Sequence, residues 1–465
     1  MIWLISVGLL LFSYQTGAQT QGSLAADDIY AGLSPGLSAE VPAEVSLPRD
    51  FDQYDPVVLR PFFDTFSWQS FIALSWPADP DDRGVPLNPD NAAFFLASNT
   101  GSGRGAKIVW ESYREGFELF PNDNSIPPEW NDRSPSRTPA GVTEQRVLGM
   151  VTKGGLLDEI NEAFGGPLID QNRNYVRYEV RINEIEYEQV RTEKWYDVDV
   201  VNAAISRTVR NQKHAGVRPQ EGIQFKPNSI ELKGAWRELT DEDDASKFYT
   251  VEALIPDEQG NYTAAKMGLV GLHVMQKTER FPQWIWSTFE HIDNVSGTHP
   301  SFNNGTPFPP SLEVDGKPQG YDREPAVISG SLPQKTSDDR NPIQVTRALP
   351  IPSTPANYST QDLNLEYRKL LEGTVWENYQ LIATQWPRHR DERSPYNPTF
   401  NPDLDYVPSV AGDPFPQFVA NVSMETYFQT NNSCLQCHYH AAAYGVDYSW
   451  IMYDRVLAPS SPTKK

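Results

Sequence analysis

The chain has only two cysteines, and both lie in one short segment near its C-terminal end, Cys434-Leu435-Gln436-Cys437-His438. Two thiols this close together cannot cross-link distant parts of a chain of 465 residues. The fold must therefore be held by a hydrophobic core. The composition provides for one, because 39% of the residues are hydrophobic and 12% are aromatic. The chain as a whole is predicted to be ordered.

The chain is strongly acidic. It carries 61 Asp and Glu residues against 39 Lys and Arg residues, which gives a formal net charge of -22 at pH 7. Nucleic acids and anionic membrane surfaces bind proteins mainly through basic residues, so the composition argues against both kinds of partner. A protein partner with a basic surface is the kind that this charge favours.

The first residues have the pattern of an export signal. An apolar run from Ile2 to Phe12 is followed by the small residues Thr16-Gly17-Ala18. This pattern predicts a signal peptide over residues 1–18 and a periplasmic or extracellular location. No Lys or Arg precedes the run, which departs from the usual pattern, and a buried N-terminal strand or helix is the alternative. The run is too short to remain as an anchor, so the mature chain is expected to lack an integral membrane segment.

Residues 19–60 are predicted to be an N-terminal extension, and residues 61–416 a large mixed α+β domain. Runs rich in β-branched and aromatic residues predict a mainly antiparallel sheet, with strands over Tyr175–Ile182, Ser229–Trp236, Phe248–Ile255, Met267–Lys277 and Phe281–Phe289. Apolar residues at three- and four-residue spacing predict a helix over Asp64–Trp76 and a second, long helix over Leu363–Trp386. Proline-rich stretches such as residues 296–360 are predicted to be long loops on this domain.

The segment around the cysteines has the C-x-x-C-H pattern by which c-type haem is attached. Two thiols on one helical turn can bond to the two vinyl groups of one haem, and the following His438 can donate a ring nitrogen to the iron. One covalent haem c on Cys434, Cys437 and His438 is therefore the main prediction. Among the alternatives, a redox dithiol would normally follow a strand of a βαβ unit, and half a zinc site would need two further soft ligands. A simple disulfide would leave His438 unexplained.

Only 27 residues follow His438, too few to enclose a haem in a self-contained small cytochrome. We therefore expect residues 417–465 to form a short helical haem c-binding segment docked on the larger domain. A helical stretch is predicted from Glu425, and the helix of the motif is predicted to continue through Ala441-Ala442-Ala443. The large upstream domain must then supply most of the walls of the haem pocket.

The residue pattern leaves the second iron ligand open. Methionine sulfur and imidazole nitrogen are the usual second ligands. The main candidates are Met452, Met424 and His291, and His273, Met275 and His440 are also chemically able. A methionine on an apolar helix is more often part of the core, and His440 lies only two residues after His438. An iron with an open position is the further alternative.

A second group of polar residues follows the aromatic strand. Glu290, His291 and Asp293 stand where the chain leaves the predicted sheet, a place where catalytic side chains are often held. They are candidate acid/base residues of an oxidoreductase. The alternative is a hydrogen-bonded histidine at the edge of the core. His273, in the middle of an apolar strand, is predicted to be a hydrogen-bonded core residue.

Taken together, four segments of the chain resemble a family of exported bacterial proteins described as cytochrome c family proteins. These segments are Asp64–Pro77, Pro282–Asn294, Asn364–Pro387 and Cys434–Trp450. In that family a large N-terminal region precedes one C-x-x-C-H motif near the end, and an Asp-Tyr/Phe-Ser stretch such as Asp447-Tyr448-Ser449 follows it. The resemblance implies covalent haem, a proximal histidine and a place in extracytoplasmic electron transfer. It implies no particular substrate.

Three hypotheses of function follow from these features. The first is electron transfer through one haem, with the acidic surface attracting a basic redox partner. The second is a haem-dependent oxidoreductase whose upstream domain binds an unknown small-molecule substrate. The third is a non-enzymatic binding module in which the 12 tryptophans form a carbohydrate or peptide surface and the haem is structural. Most of these tryptophans lie in apolar patterns, which favours a place in the core.

Overall fold

The computed structural model describes residues 29–100, 107–121, 124–132, 146–148, 163, 166–212, 222–256, 261–307, 313–314, 317–323, 341–388, 413–443 and 445–457. The chain forms two compact units, residues 1–34 and residues 35–465. The predicted export signal, residues 1–18, lies outside the described residues. The predicted haem-binding segment, residues 417–465, belongs to the same compact unit as the predicted α+β domain.

A mainly antiparallel sheet forms the centre of residues 35–465. The strands are β1 (Arg114–Glu115), β2 (Arg146–Val147), β3 (Arg177–Ile182), β4 (Ile230–Glu238), β5 (Thr250–Pro256), β6 (Tyr262–Gln276), β7 (Ile285–His291), β8 (Glu313–Val314), β9 (Lys317–Pro318), β10 (Tyr379–Pro387) and β11 (Pro414–Phe415). The order across the sheet is β1-β3-β4-β6-β7-β10-β11, while β5 pairs with β6 and, in parallel, with β2. A separate hairpin consists of β8 and β9. The predicted α+β class and the five predicted strands are confirmed, although the strand predicted from Phe281 begins at Ile285.

The α-helices of the described ranges are α1 (Pro56–Leu74), α2 (Ala92–Ser98), α3 (Val109–Ser112), α4 (Glu184–Thr192), α5 (Val198–Gln212), α6 (Thr360–Leu370), α7 (Cys434–Ala443) and α8 (Trp450–Leu457). The predicted helix at Asp64–Trp76 is confirmed as part of α1, which starts earlier. The Asp55 carboxylate caps α1 by accepting the Val57 N–H at 2.8 Å, and Pro56 takes the first helical position, where no N–H is needed.

The predicted long helix over Leu363–Trp386 is wrong in its second half. The first half is α6, which begins at a capping box formed by Ser359 and Asp362. Gly373 then adopts a positive φ of 82°, which ends the helical path. The chain continues as β10, paired with β7. All but one residue of β10 are buried, so the strand lacks the alternation of apolar and polar residues that usually distinguishes a strand from a helix.

Both faces of the central strands are covered, and this places the C-terminal segment. Successive residues of a strand point to opposite faces. On one face, Phe289 of β7 stacks on Phe71 of α1 with ring centroids 4.4 Å apart. On the other face, the Thr288 hydroxyl accepts the Asn421 amide at 2.9 Å, and the ring of Trp286 lies 4.3 Å from that of His438. The C-terminal segment therefore packs on the sheet face opposite α1.

The helix predicted from Glu425 is wrong, because residues 422–431 form a series of turns. The Asn421 side chain accepts the backbone N–H of Ser423 at 2.9 Å, and the Glu425 carboxylate accepts the backbone N–H of Asn421 at 2.8 Å. Side chains that bond to nearby backbone in this way compete with helix formation. The turns place Glu425 beside the segment that contains the two cysteines.

Candidate functional site

A cavity of about 440 Å³ lies between the C-terminal segment and the sheet. Cys434, Cys437 and His438 of α7 line it, together with Trp450 and Ile451 of α8. The opposite wall is formed by residues of β3, β4, β6 and β7. The three residues of the predicted haem motif thus share one cavity, and the upstream part of the chain supplies much of its wall.

The sheet wall consists of two rows of side chains that run across neighbouring strands. The first row is Lys233, His273 and Thr288, and the second is Glu231, Met275 and Trp286, each from β4, β6 and β7 in turn. Residues two apart on a strand share a face, so both rows point towards α7. The lining of the cavity is mostly apolar, with charged, imidazole and thioether groups at this wall.

The start of α7 is tied to the sheet by one glutamine. The side-chain oxygen of Gln385, on β10, accepts the backbone N–H of Leu435 at 2.9 Å and the hydroxyl of Ser433 at 3.2 Å. Gln385 is itself fully buried, and its amide nitrogen donates to the carbonyl of Pro416 at 2.7 Å. This contact satisfies an N–H of the first turn, which has no partner within a helix, and fixes where the motif begins.

Both thiols are free and half-buried. Burial, followed by the nearby negative charge of Glu425, raises the pKa of Cys434 well above its ordinary value. The same two causes raise the pKa of Cys437 to about 11. The thiols are therefore neutral at pH 7. Redox-active dithiols have a lowered pKa at one sulfur, so this environment argues against the dithiol alternative.

His438 has one ring nitrogen committed to the backbone. Its Nδ1 lies 2.7 Å from the carbonyl oxygen of Tyr448. A carbonyl oxygen can only accept a hydrogen bond, so Nδ1 carries the proton and Nε2 carries the lone pair. Burial, together with the positive charge of Lys233, lowers the pKa of His438 to about 3. The imidazole is neutral and held in the tautomer that leaves Nε2 as a possible ligand.

The loop that supplies the Tyr448 carbonyl is held by distant parts of the chain. Asp447 and Tyr448 have positive φ values of 51° and 65°, which are rare for residues with side chains. The Asp447 carboxylate accepts a hydrogen bond from the backbone N–H of Phe225 at 2.6 Å and forms an ion pair with Lys277. The Gly445 carbonyl accepts the N–H of Ile223 at 2.8 Å. These contacts stabilise the strained loop and with it the orientation of His438.

The residues named as second iron ligands lie in different places. His273 and Met275 line the cavity. Met424 packs in a separate apolar cluster with Val270 and Phe302, and Met452 is buried in the main core, so neither lines the cavity. The side chain of His440 lies outside the described residues.

His291 lies outside the cavity, and both of its ring nitrogens have partners. Its Nε2 donates to the carbonyl of Lys247 at 3.0 Å, and its Nδ1 accepts the backbone N–H of Asp293 at 3.2 Å. Its ring stacks on Phe248 with centroids 4.1 Å apart. Burial lowers its pKa to about 4. This geometry is that of the hydrogen-bonded histidine named as the alternative at this position.

Glu290 and Asp293 are also engaged in contacts away from the cavity. Glu290 is fully buried and forms a bidentate ion pair with Arg347, with N–O distances of 3.1 and 2.6 Å. It also accepts the backbone N–H of Val422 at 2.6 Å. Asp293 pairs with Lys247 at 3.0 Å. The group predicted as acid/base residues thus joins loops to the end of β7 and does not reach the cysteines.

His273 is not the hydrogen-bonded core residue that its strand position predicts. It faces the cavity, and its Nε2 lies 3.5 Å from a carboxylate oxygen of Glu425 without forming a hydrogen bond. Lys233, Glu231 and Glu425 also line the cavity and were not identified from the sequence. One signal was present, since Glu231 and Lys233 are charged residues two apart within an apolar strand.

The described part of the chain bears on two alternatives, a tryptophan-lined binding surface and a zinc site. Nine tryptophans are buried, as the core interpretation expects: Trp68, Trp76, Trp110, Trp130, Trp236, Trp284, Trp286, Trp376 and Trp386. Among the described residues, no group of three or more His, Cys, Asp or Glu side chains is arranged to hold a metal ion.

No helix within the described ranges is both long and apolar enough to cross a membrane. Comparisons with models of known protein families, with curated protein sequences and with solved structures find no match for this chain.

Proposed function

We propose that this protein holds one haem c in the cavity beside α7 and transfers electrons outside the cytoplasm. Cys434 and Cys437 would be its covalent attachment points, and His438 would be an iron ligand. The observation that carries the proposal is the state of His438, whose Nδ1–H is committed to a carbonyl while Nε2 keeps its lone pair, in a cavity shared with both thiols. A histidine that binds a metal is usually fixed through its other nitrogen in this way.

The cavity suits such a group in size and in chemistry. Its volume of about 440 Å³ is within the range of cofactor sites, and its lining is mostly apolar. When bound, haem supplies a reversible one-electron change at its iron. The role of the chain is to hold the haem, to exclude water from it and to keep the His438 imidazole neutral and oriented.

The surface charge supports a protein as electron partner. With a formal net charge of -22, the chain attracts a basic redox protein and speeds its association, most strongly at low ionic strength. Cys434 and Cys437 are half-buried, so this side of the cavity lies near the surface. An electron exchanged there would have a short path to a docked partner.

Expression of the full chain together with a haem-maturation system tests the proposal. We expect a pyridine haemochrome spectrum of c-type haem at one haem per chain, and haem that stays on the chain in a denaturing gel. The Cys434→Ala/Cys437→Ala variant should lose all covalent haem. Glu372→Ala, which changes an exposed residue away from the cavity, should keep it. A folded wild-type chain that carries no covalent haem under these conditions would overturn the proposal.

A haem-dependent oxidoreductase is the second candidate, and one observation favours it. His273 and Glu425 face the cavity 3.5 Å apart, and an imidazole beside a carboxylate can hold or move a proton. A reduced spectrum of six-coordinate, low-spin iron would favour electron transfer. High-spin iron that binds carbon monoxide and cyanide would favour the oxidoreductase, and His273→Ala should then reduce turnover of peroxide.

A further inference from the structure

His273 presents a polar ring to the cavity from the middle of an apolar strand. The residues on either side of it in β6, Leu272 and Val274, are buried. Its Nε2 is buried and has no hydrogen-bond partner among the described residues, although 23% of the side-chain surface is exposed. Such an atom is costly unless a water, an ion or a bound group completes its contacts.

Glu425 does not satisfy this nitrogen. One of its carboxylate oxygens lies 3.5 Å from the Nε2 of His273, and no hydrogen bond forms. The other oxygen accepts the backbone N–H of Asn421 at 2.8 Å, which holds the carboxylate within its own turn. Glu425 therefore places a negative charge beside the imidazole and leaves the nitrogen available. A negative charge in this position favours the binding of a cationic iron.

His273 and His438 belong to opposite walls of one cavity. His438 lies on α7, and His273 lies on the sheet. The sheet residue that packs against His438 is Trp286, with ring centroids 4.3 Å apart. His273 pairs with Thr288, two residues beyond Trp286, so its Cβ lies diagonally from that of Trp286, at about 7–8 Å. The two imidazoles thus line the same space from different elements, as two ligands on opposite faces of one flat ring must.

The other described candidates are explained without iron. Met424 and Met452 lie outside the cavity, and both ring nitrogens of His291 are bonded to the backbone. Met275 does line the cavity, but it is 6% exposed and packs in the main hydrophobic cluster. A thioether is only a weak hydrogen-bond acceptor, so it can be buried without a partner at little cost. Among these described residues, His273 is the candidate whose contacts are incomplete without a ligand.

We propose that His273 is the second ligand of the haem iron, so that the imidazoles of His273 and His438 hold it from opposite walls. The inference rests on the proposed function and assigns the ligand position that the proposed function leaves open. An iron held in this way is six-coordinate and low-spin, and an external ligand binds only by displacing His273. The role of His273 is therefore to reserve the iron for electron transfer, which makes the oxidoreductase the less favoured of the two candidates.

Absorption and electron paramagnetic resonance spectra of the oxidised, haem-loaded full chain test this ligand. We expect low-spin iron without the far-red sulfur-to-iron charge-transfer band that a methionine ligand produces. His273→Ala should convert the iron to the high-spin state and raise its apparent affinity for cyanide more than ~10-fold, because the open state is no longer a minor fraction. Imidazole added to this variant should restore the low-spin spectrum.

Two further variants separate an iron ligand from a residue that only supports the fold. His273→Met should keep low-spin iron and gain the far-red band, an outcome that a structural role does not produce. This variant also supplies the test if His273→Ala does not retain haem. Met275→Leu is the matched control, because it changes a neighbouring side chain on the same strand and the same wall while conserving volume. It should leave the wild-type spectrum unchanged.

Three results would overturn the inference while covalent haem attachment stands. The first is high-spin iron in the wild type, and the second is low-spin iron that persists in His273→Ala without added imidazole. The third is a far-red band in the wild type that is lost in Met275→Leu, which would assign the position to Met275. Absence of covalent haem from a folded wild-type chain would instead overturn the proposed function itself.

Discussion

His291 is buried and His438 is half-buried, and both have a lowered pKa, about 4 for His291 and about 3 for His438, yet their surroundings differ. Both ring nitrogens of His291 are bonded to the backbone. His438 has one nitrogen bonded to the Tyr448 carbonyl and lies in the wall of a cavity. The lowered pKa alone would rank the two residues together. What separates a structural histidine from a candidate ligand is whether its second nitrogen is already used.

The carboxylates near these histidines differ in the same way. Glu290, next to His291, is satisfied by Arg347 and by the N–H of Val422. Glu231, on the cavity wall, has one carboxylate oxygen that is buried without a hydrogen-bond partner among the described residues. Polar groups with complete sets of partners stabilise the fold, and those with incomplete sets remain able to bind or exchange protons.

The largest effect on stability is expected at Glu290. Glu290→Ala removes the carboxylate from Arg347 and from the Val422 N–H, and breaking a buried pair in this way should cost about 3 kcal/mol of unfolding free energy. Chemical denaturation of the cofactor-free protein measures it. The exposed Glu372→Ala variant is the control, and it should change stability by less than ~0.5 kcal/mol. A loss of haem binding with no loss of stability would contradict the structural role of Glu290.

His291 should make stability depend on pH in mildly acidic solution. The folded state keeps it neutral down to a pKa of about 4, whereas the unfolded state binds a proton near pH 6.5. The contribution of neutral His291 to the free energy of unfolding is therefore complete above pH 6.5. About 3 kcal/mol of it is lost as the pH falls towards 4. The difference in unfolding free energy between wild type and His291→Gln, measured across this range, should shrink by that amount. A constant difference would contradict it.

Met424 and Met452 should behave as core residues. Because neither lines the cavity, Met424→Leu and Met452→Leu should leave the absorption spectrum of the haem-loaded protein unchanged. Each exchange conserves volume and should cost less than ~1.5 kcal/mol. A changed spectrum in either variant would identify that methionine as an iron ligand and would contradict its assignment to the core.

The smallest effect on stability, and the clearest spectral one, is expected at His273. Its Nε2 makes no hydrogen bond that a substitution would break, so His273→Ala should change the stability of the cofactor-free protein by less than ~1 kcal/mol. In the haem-loaded protein the same variant should alter the spectrum or the affinity for cyanide, because the side chain faces the cavity. Met275→Leu tests the neighbouring thioether, and two unchanged spectra would exclude this wall as the ligand side.

Local patterns predict part of this molecule well. The spacing in C-x-x-C-H depends on one helical turn, and the strands β3 to β7 are marked by β-branched runs, so both could be identified from neighbouring residues. β10 could not, because it is buried on both faces and its apolar residues imitate a helical stripe. The position of Gly373 was the available sign that the helix ends.

Local sequence patterns could not predict which residues line the cavity wall. His273 faces the same cavity as His438 only because β4, β6 and β7 are paired in one register and because the C-terminal segment covers that face. A shift of one residue would turn the other set of side chains to the cavity. The aromatic context of His291 made it the more conspicuous histidine, but the contacts that occupy its nitrogens involve Lys247, which is 44 residues away.

The contact between Asp447 and the N–H of Phe225, 222 residues apart in the chain, bears on how the site can be transplanted. A peptide of residues 417–465 would contain the complete motif and both helices of the segment. It would lack the partners that keep the loop at Tyr448 in its strained shape, so nothing would aim the His438 ring. Transferring the C-x-x-C-H sequence of this protein to another chain would therefore not be enough to transfer the oriented His438.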